Sequence, residues 1–274
     1  MKQHLFVPLL TYPDATSGTM IANAVALARH MQATLTVCAV EITIPDVSSA
    51  LSSVIIDAAK MARYAEALSY KHASMLTRKA IKEARAASVD LRTREIKVEE
   101  PFVADALAEA SRAYDLVLLE STAFSRPIVE AVLFGSGRPL VLYPPAPFDG
   151  RIDHVAIAWN GSPAAARAAH DASVFLERAS KVCLLSVVDE KPVTYETGDY
   201  FIENLLKSGV RVEATRLRAG GSPVEEVLQS KAFELRADLL VMGGSGHSRV
   251  REFVLGGATQ AVLTSITLPV LLSH

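Results

Sequence analysis

Residues 154–188 read HVAIAWNGSPAAARAAHDASVFLERASKVCLLSVV, and this stretch decides the fold class. His154 to Trp159 is a short apolar run, and Asn160-Gly161-Ser162-Pro163 has the composition of a turn. The alanine-rich segment that follows reads as a helix, and Lys181 to Val188 is a second aliphatic run. Strand, helix and strand in this order, with both strands apolar, imply a βαβ crossover. Such crossovers build parallel sheets buried on both faces.

The same unit opens the chain. His4 to Leu10 (HLFVPLL) is strand-like, Met20 to Met31 is helix-like, and Thr34 to Val40 is a β-branched run. Further on, DLRTREIKV and PFVADALAEASRAYDLVLLE (residues 90–98 and 101–120) parallel VRVEATRLRAG and SPVEEVLQSKAFELRADLLVMGG (residues 210–220 and 222–244). Asp115 aligns with Asp238, each heading a run of aliphatics, and each half closes on a proline-led strand, RPLVLY (Arg138 to Tyr143) and LPVLLS (Leu268 to Ser273). The expected fold is therefore α/β, with two tandem Rossmann-like domains over residues 1–147 and 148–274. Each is expected to hold a five-stranded, mainly parallel sheet with helices on both faces, the division falling in the linker PPAPFDGR, Pro144 to Arg151. Sheets of this kind take ligands at the carboxyl ends of their strands.

Composition narrows the function classes. The 274 residues are 50% hydrophobic and 21% charged, a globular balance, with a formal net charge of −2. No run of Lys and Arg stands out, so neither nucleic acid nor membrane is expected as a partner. No stretch of about 18 apolar residues exists, and the N-terminus suits a first strand better than a signal peptide. Cys38 and Cys183 lie in apolar runs without a CxxC or His partner in sequence and read as buried free thiols of a cytoplasmic protein.

The halves differ in two places. The segment from Pro45 to Ala87 is long and largely of helical period, whereas its counterpart, about Glu190 to Ser208, is short. The second difference is a set of glycines. After the run Asp238 to Met242 come Gly243, Gly244 and Gly246, then Gly256 and Gly257, followed by Ala258, Thr259 and a helix-like segment. Glycines between a strand and a helix let backbone N–H groups approach an anion, which the helix dipole favours. In the first half Gly135-Ser136-Gly137 precedes the last strand and reads as a helix C-terminal turn. That half is expected to lack a phosphate loop.

Gly243, Gly246 and Gly256 match G-x2-G-x9-G, and the second half so resembles the universal stress protein family, whose ATP-binding members carry this motif after the fourth strand. The resemblance covers the whole second half and, more weakly, the fold of the first. It implies an adenine nucleotide site made of Asn160, Val187, Met242, Gly243, Gly246, Gly256, Gly257, Ala258 and Thr259, with ATP as ligand and Mg accompanying it. His247, Arg249 and Arg251 are candidates for phosphate contact, and Trp159 is expected to pack under the helix that follows it. Two positions depart from the family pattern. Gly257 stands where a Ser or Thr is usual, leaving Thr259 to supply a hydroxyl, and Asn160 replaces an aspartate, exchanging an acceptor for a group that also donates. The resemblance also implies that the halves pack through their terminal strands as an internal pseudo-dimer, with a further homodimer compatible.

No Walker lysine, nucleophile triad or metal-ligand spacing is visible, so at most slow ATP hydrolysis is expected, with no catalytic residue assigned. Gly220-Gly221-Ser222-Pro223 reads as a turn into a helix with Ser222 as N-cap and Pro223 at the first helical position. A rival reading makes the chain an interaction protein without a nucleotide, using residues 45–87 for a partner or another ligand.

Overall fold

The structure, a computed structural model, describes residues 2–45, 58–122, 124–189, 195–244 and 266–274. The first half of the chain runs β1 (His4–Leu9), α1 (Gly18–Met31), β2 (Thr34–Thr43), α2 (Ala58–Ala86), β3 (Leu91–Glu99), α3 (Val103–Ser111), β4 (Leu116–Glu120), α4 (Arg126–Gly135) and β5 (Leu140–Tyr143). The second runs β6 (His154–Ala158), α5 (Pro163–Asp171), α6 (Ser173–Leu176), β7 (Lys181–Val187), α7 (Tyr195–Lys207), β8 (Val212–Leu217), α8 (Val224–Glu234), β9 (Leu239–Gly243) and β10 (Val270–Ser273).

Five strands from each half join edge to edge in one sheet of order β3-β2-β1-β4-β5-β10-β9-β6-β7-β8. Every pairing is parallel except the seam, where β5 and β10 run antiparallel with Val141 opposite Leu271. The inner strands are aliphatic throughout because helices cover both faces, and β5 and β10 are buried at every residue. The outer strands β3 and β8 alternate with charged, exposed residues such as Arg92, Arg94 and Glu213, which blunt the two free edges.

The aligned aspartates have one task in both halves. Asp115 Oδ2 accepts from His4 N at 2.8 Å, and Asp238 Oδ2 accepts from Asp153 N and His154 N, each at 2.9 Å. Each carboxylate thus fixes the start of the first strand against the start of the fourth. The Pro144 to Arg151 segment is fastened down: Asn23 Nδ2 donates to Ala146 O and Phe148 N donates to Asn23 Oδ1, both at 2.9 Å. Gly150, at φ +85°, lies so close to α1 that a Cβ there would be 2.4 Å from the Ala26 carbonyl carbon.

α4 ends at Gly135, with Ser136 as its cap and Gly137 at φ +68°, the C-terminal turn expected of Gly135-Ser136-Gly137. Ser222 differs from expectation. Pro223 is the N-cap of α8, with no side-chain cap bond, so Ser222 lies one residue outside the helix. Turn geometry set by Gly220 at φ +58° and Gly221 at φ +89° shifts the helix start by one.

Candidate functional site

In the second half β6 lies between β7 and β9, so the turn after β6 emerges at a carboxyl edge flanked by the ends of both neighbours. Trp159 N donates to Leu185 O at 2.8 Å, carrying the β6–β7 pairing up to the turn. This order brings Asn160, Val187, Met242 and Gly243 to one edge of the sheet. Gly246, His247, Arg249, Arg251, Gly256, Gly257, Ala258 and Thr259 lie outside the described residues.

The turn is built around the start of α5. Asn160 is exposed, and its Oδ1 accepts from Ser162 N at 3.0 Å, while Ser162 Oγ caps the helix by accepting from Ala165 N at 3.2 Å. With Oδ1 engaged, Asn160 presents its amide donor outward, where an aspartate would present an acceptor. Gly243 ends β9 directly beneath this helix start. A Cβ on it would sit 2.4 Å from the Ala164 carbonyl carbon and 2.5 Å from Ala165 N. Glycine here is a packing requirement, because it lets the positive end of α5 close on the strand. Gly244 N donates to Ser273 O at 2.5 Å, tying the next residue to the end of β10.

Trp159 packs under α7, further along the chain than the helix expected from sequence. Its ring stacks on Phe201 at 4.7 Å and 3°, and it is 7% exposed. Phe201 of α7, rather than a ring from the helix that directly follows Trp159, supplies the stacking face. The buried Trp159 Nε1 has no partner among the described residues. Asp189, just past β7, was not distinguished by the sequence. Its carboxylate accepts from Ala219 N at 2.8 Å and Gly220 N at 3.0 Å, bonds that hold its pKa below the usual carboxylate value. It pins the turn after β8 to the rim beside Val187.

The matching edge of the first half is filled by the chain itself. Glu120 takes the position equivalent to Gly243, five residues after the aligned aspartate. Its carboxylate accepts from Ser17 N at 3.0 Å and Ser17 Oγ at 2.5 Å, at the N-cap of α1. An internal carboxylate therefore occupies the helix N-terminus, where an anionic ligand would otherwise be favoured. The alignment of Asp115 with Asp238 carried this signal in the sequence. Alongside it, α2 seals the ends of β1 and β2. Ser69, fully buried, accepts from Ile42 N at 3.0 Å and lies 2.6 Å from Thr11 Oγ1, and His72 Nδ1 is 2.8 Å from Thr11 O.

Cys38 and Cys183 are buried free thiols. Burial pushes Cys38 up to about 11 and raises Cys183 as well, so His154, whose Nε2 is 3.3 Å from Cys183 Sγ, faces a neutral thiol rather than a nucleophile. Among the described residues no group of three or more His, Cys, Asp or Glu is arranged to hold a metal. Asn160 offers no carboxylate either. No helix among the described residues is long and apolar enough to cross a membrane.

The comparisons with known proteins agree with this fold. Residues 151–274 match the model of the universal stress protein family. A crystal structure of a universal stress protein from Archaeoglobus fulgidus DSM 4304 shares the fold, with a TM-score of 0.72 at 17% identity, over 99% of this chain and 96% of that one. A functionally unknown protein from Pseudomonas aeruginosa PAO1 is similar at a TM-score of 0.52 and 13% identity, over 99% of this chain and 92% of that one. A universal stress protein from Thermus aquaticus is 35% identical over an alignment of 133 positions that covers 43% of this chain and 96% of the relative. With a relative matched over nearly its whole length at that identity, the chain belongs to the universal stress protein family.

Proposed function

We propose that the chain binds ATP or a related adenine nucleotide at the carboxyl edge of β6, β7 and β9, as a regulatory ligand in a cytoplasmic stress response. Hydrolysis is at most slow, since among the described residues no side chain of the edge is set up as a general base. The observation that carries this reading is the contrast between the two edges. In the first half Glu120 and α2 fill the place, whereas in the second Gly243 stands where Glu120 does and brings no carboxylate to the helix start. Val187 gives an aliphatic surface for a base, and Asn160 an amide donor for base or ribose. The segment Gly246 to Thr259, outside the described residues, would supply backbone donors to the phosphates, aided by His247, Arg249 and Arg251.

One ligand per chain follows. We infer as well that residues 1–147 and 148–274 are tandem domains, forming an internal pseudo-dimer through the β5–β10 seam. The test is mass spectrometry of the protein as purified, followed by calorimetry with ATP and ADP at millimolar concentration. Bound adenine nucleotide, or a binding isotherm near one per chain that Gly246→Asp abolishes, is the expected result. Protein free of nucleotide that gives no heat with either compound overturns the reading.

A further inference from the structure

α2 packs on the sheet through a stripe of small and apolar residues, Ala65, Ser69, Ala73, Leu76, Ala80 and Ala84. The side of the helix opposite this stripe carries Lys60, Arg63, Lys71, Arg78, Lys82 and Arg85, all exposed. Their positions follow one line along the helix at steps of three and four, interrupted only at Ala67 and Ser74. At 1.5 Å per residue the line is about 38 Å long. With seven basic and two acidic side chains α2 carries +5, in a chain whose total is −2, so the remaining residues carry −7. Lys79 pairs with Glu83 on the flank of α2, at 3.2 Å. Arg63, Lys71, Arg78, Lys82 and Arg85 face no acidic partner among the described residues. Large apolar side chains border the basic line: Met61 (64% exposed), Tyr64 (71%) and Met75 (47%) on one side, Tyr70 (64%) and Ile81 (39%) on the other.

We propose that this face of α2 is a docking surface for an acidic, amphipathic segment of a protein partner, whose carboxylates lie along the basic line while its apolar side chains contact the bordering Met and Tyr residues. The charge is complementary to such a segment, and Arg, Tyr and Met are the residues that protein interfaces favour. A lipid surface fits poorly, because a helix lying in a membrane points its apolar face inward, and here the outermost line is cationic. A polyphosphate backbone would leave the Met and Tyr borders without a counterpart and meet the −7 of the remaining chain. The proposal is independent of nucleotide binding in the second half.

The probe is a labelled synthetic helix of about 25 residues, matching the line in length, with glutamates along one stripe and leucines beside it. A peptide of the same composition in scrambled order, a DNA duplex of about 11 base pairs and phosphatidylserine vesicles serve as comparators. Fluorescence anisotropy on the full chain should show the patterned peptide binding about tenfold tighter than the scrambled one. Combining Arg63→Glu, Lys71→Glu, Arg78→Glu and Lys82→Glu should remove that advantage, with the melting temperature and ATP response kept. The glutamine version of the same four changes guards against a charge-reversed chain that fails to fold, and should also weaken binding. Equal affinity for both peptides, or unchanged affinity in the glutamine variant, overturns the proposal. So does tighter binding of DNA or vesicles, or self-association of the chain alone that the variants abolish.

Discussion

Glu120 and Gly243 stand at equivalent positions and set opposite local chemistry. Glu120 supplies two acceptors to the α1 N-terminus through Ser17, whereas Gly243 has no side chain because the first turn of α5 lies against it. Glu120→Ala should cost about 1 kcal/mol, the loss of a charge-assisted cap that water partly replaces at this half-buried site. Gly243→Ala is a different kind of change. The new methyl falls within 2.5 Å of helix backbone, so α5 must move off β9, at a cost of about 2 kcal/mol or more. Urea unfolding of the two variants measures both. A Gly243→Ala protein as stable as the parent would mean that α5 is not seated on β9 as described.

At the scale of elements, the turn after β8 depends on one carboxylate. Asp189 takes backbone hydrogen bonds from Ala219 and Gly220, which lower its pKa in the folded chain below the unfolded value. The sign follows from linkage: the stabilisation is full above the ordinary carboxylate pKa and is lost as pH falls through the depressed folded value. Asp189→Asn should flatten the acid limb of a melting-temperature profile and leave the neutral limb parallel to the parent. An unchanged acid limb would show that Asp189 does not hold the turn. The bond was not legible in the sequence, because Asp189 and Gly220 are separated by all of α7 and β8. What could be read were the periods: aliphatic runs for the inner strands, and the helix within residues 45–87, observed as Ala58–Ala86. Ser222 could be misread because the N-cap preference ranks residue types but does not see the two left-handed glycines before it. The basic line of α2 escaped a scan for runs of Lys and Arg, since residues three and four apart are neighbours only on a helix.

For the molecule as a whole, the repeat implies two units, yet the packing does not stop between them. The apolar layer on one face of the sheet runs from Leu5 and Leu118 through Val141, Leu271 and Val155 to Leu184 without a break, and the other face carries a second such layer. The linker lies along α1, and Arg178 Nη1 donates to His30 O across the halves at 3.3 Å. Opening the seam would expose two fully buried strands, β5 and β10, with their unpaired edges. That cost should couple the halves into one unfolding transition. The chain contains a single tryptophan, Trp159 in the second half, so its fluorescence follows that half while far-UV circular dichroism follows both. The two urea curves should coincide. Gly150→Ala sharpens the test, because a Cβ there meets the Ala26 backbone at 2.4 Å and strains a backbone held at φ +85°, disturbing the linker where it meets α1. With coupled halves it lowers the Trp159 midpoint and the dichroism midpoint together. A Trp159 midpoint that stays in place while the dichroism curve broadens would mean that the seam holds two independently stable units.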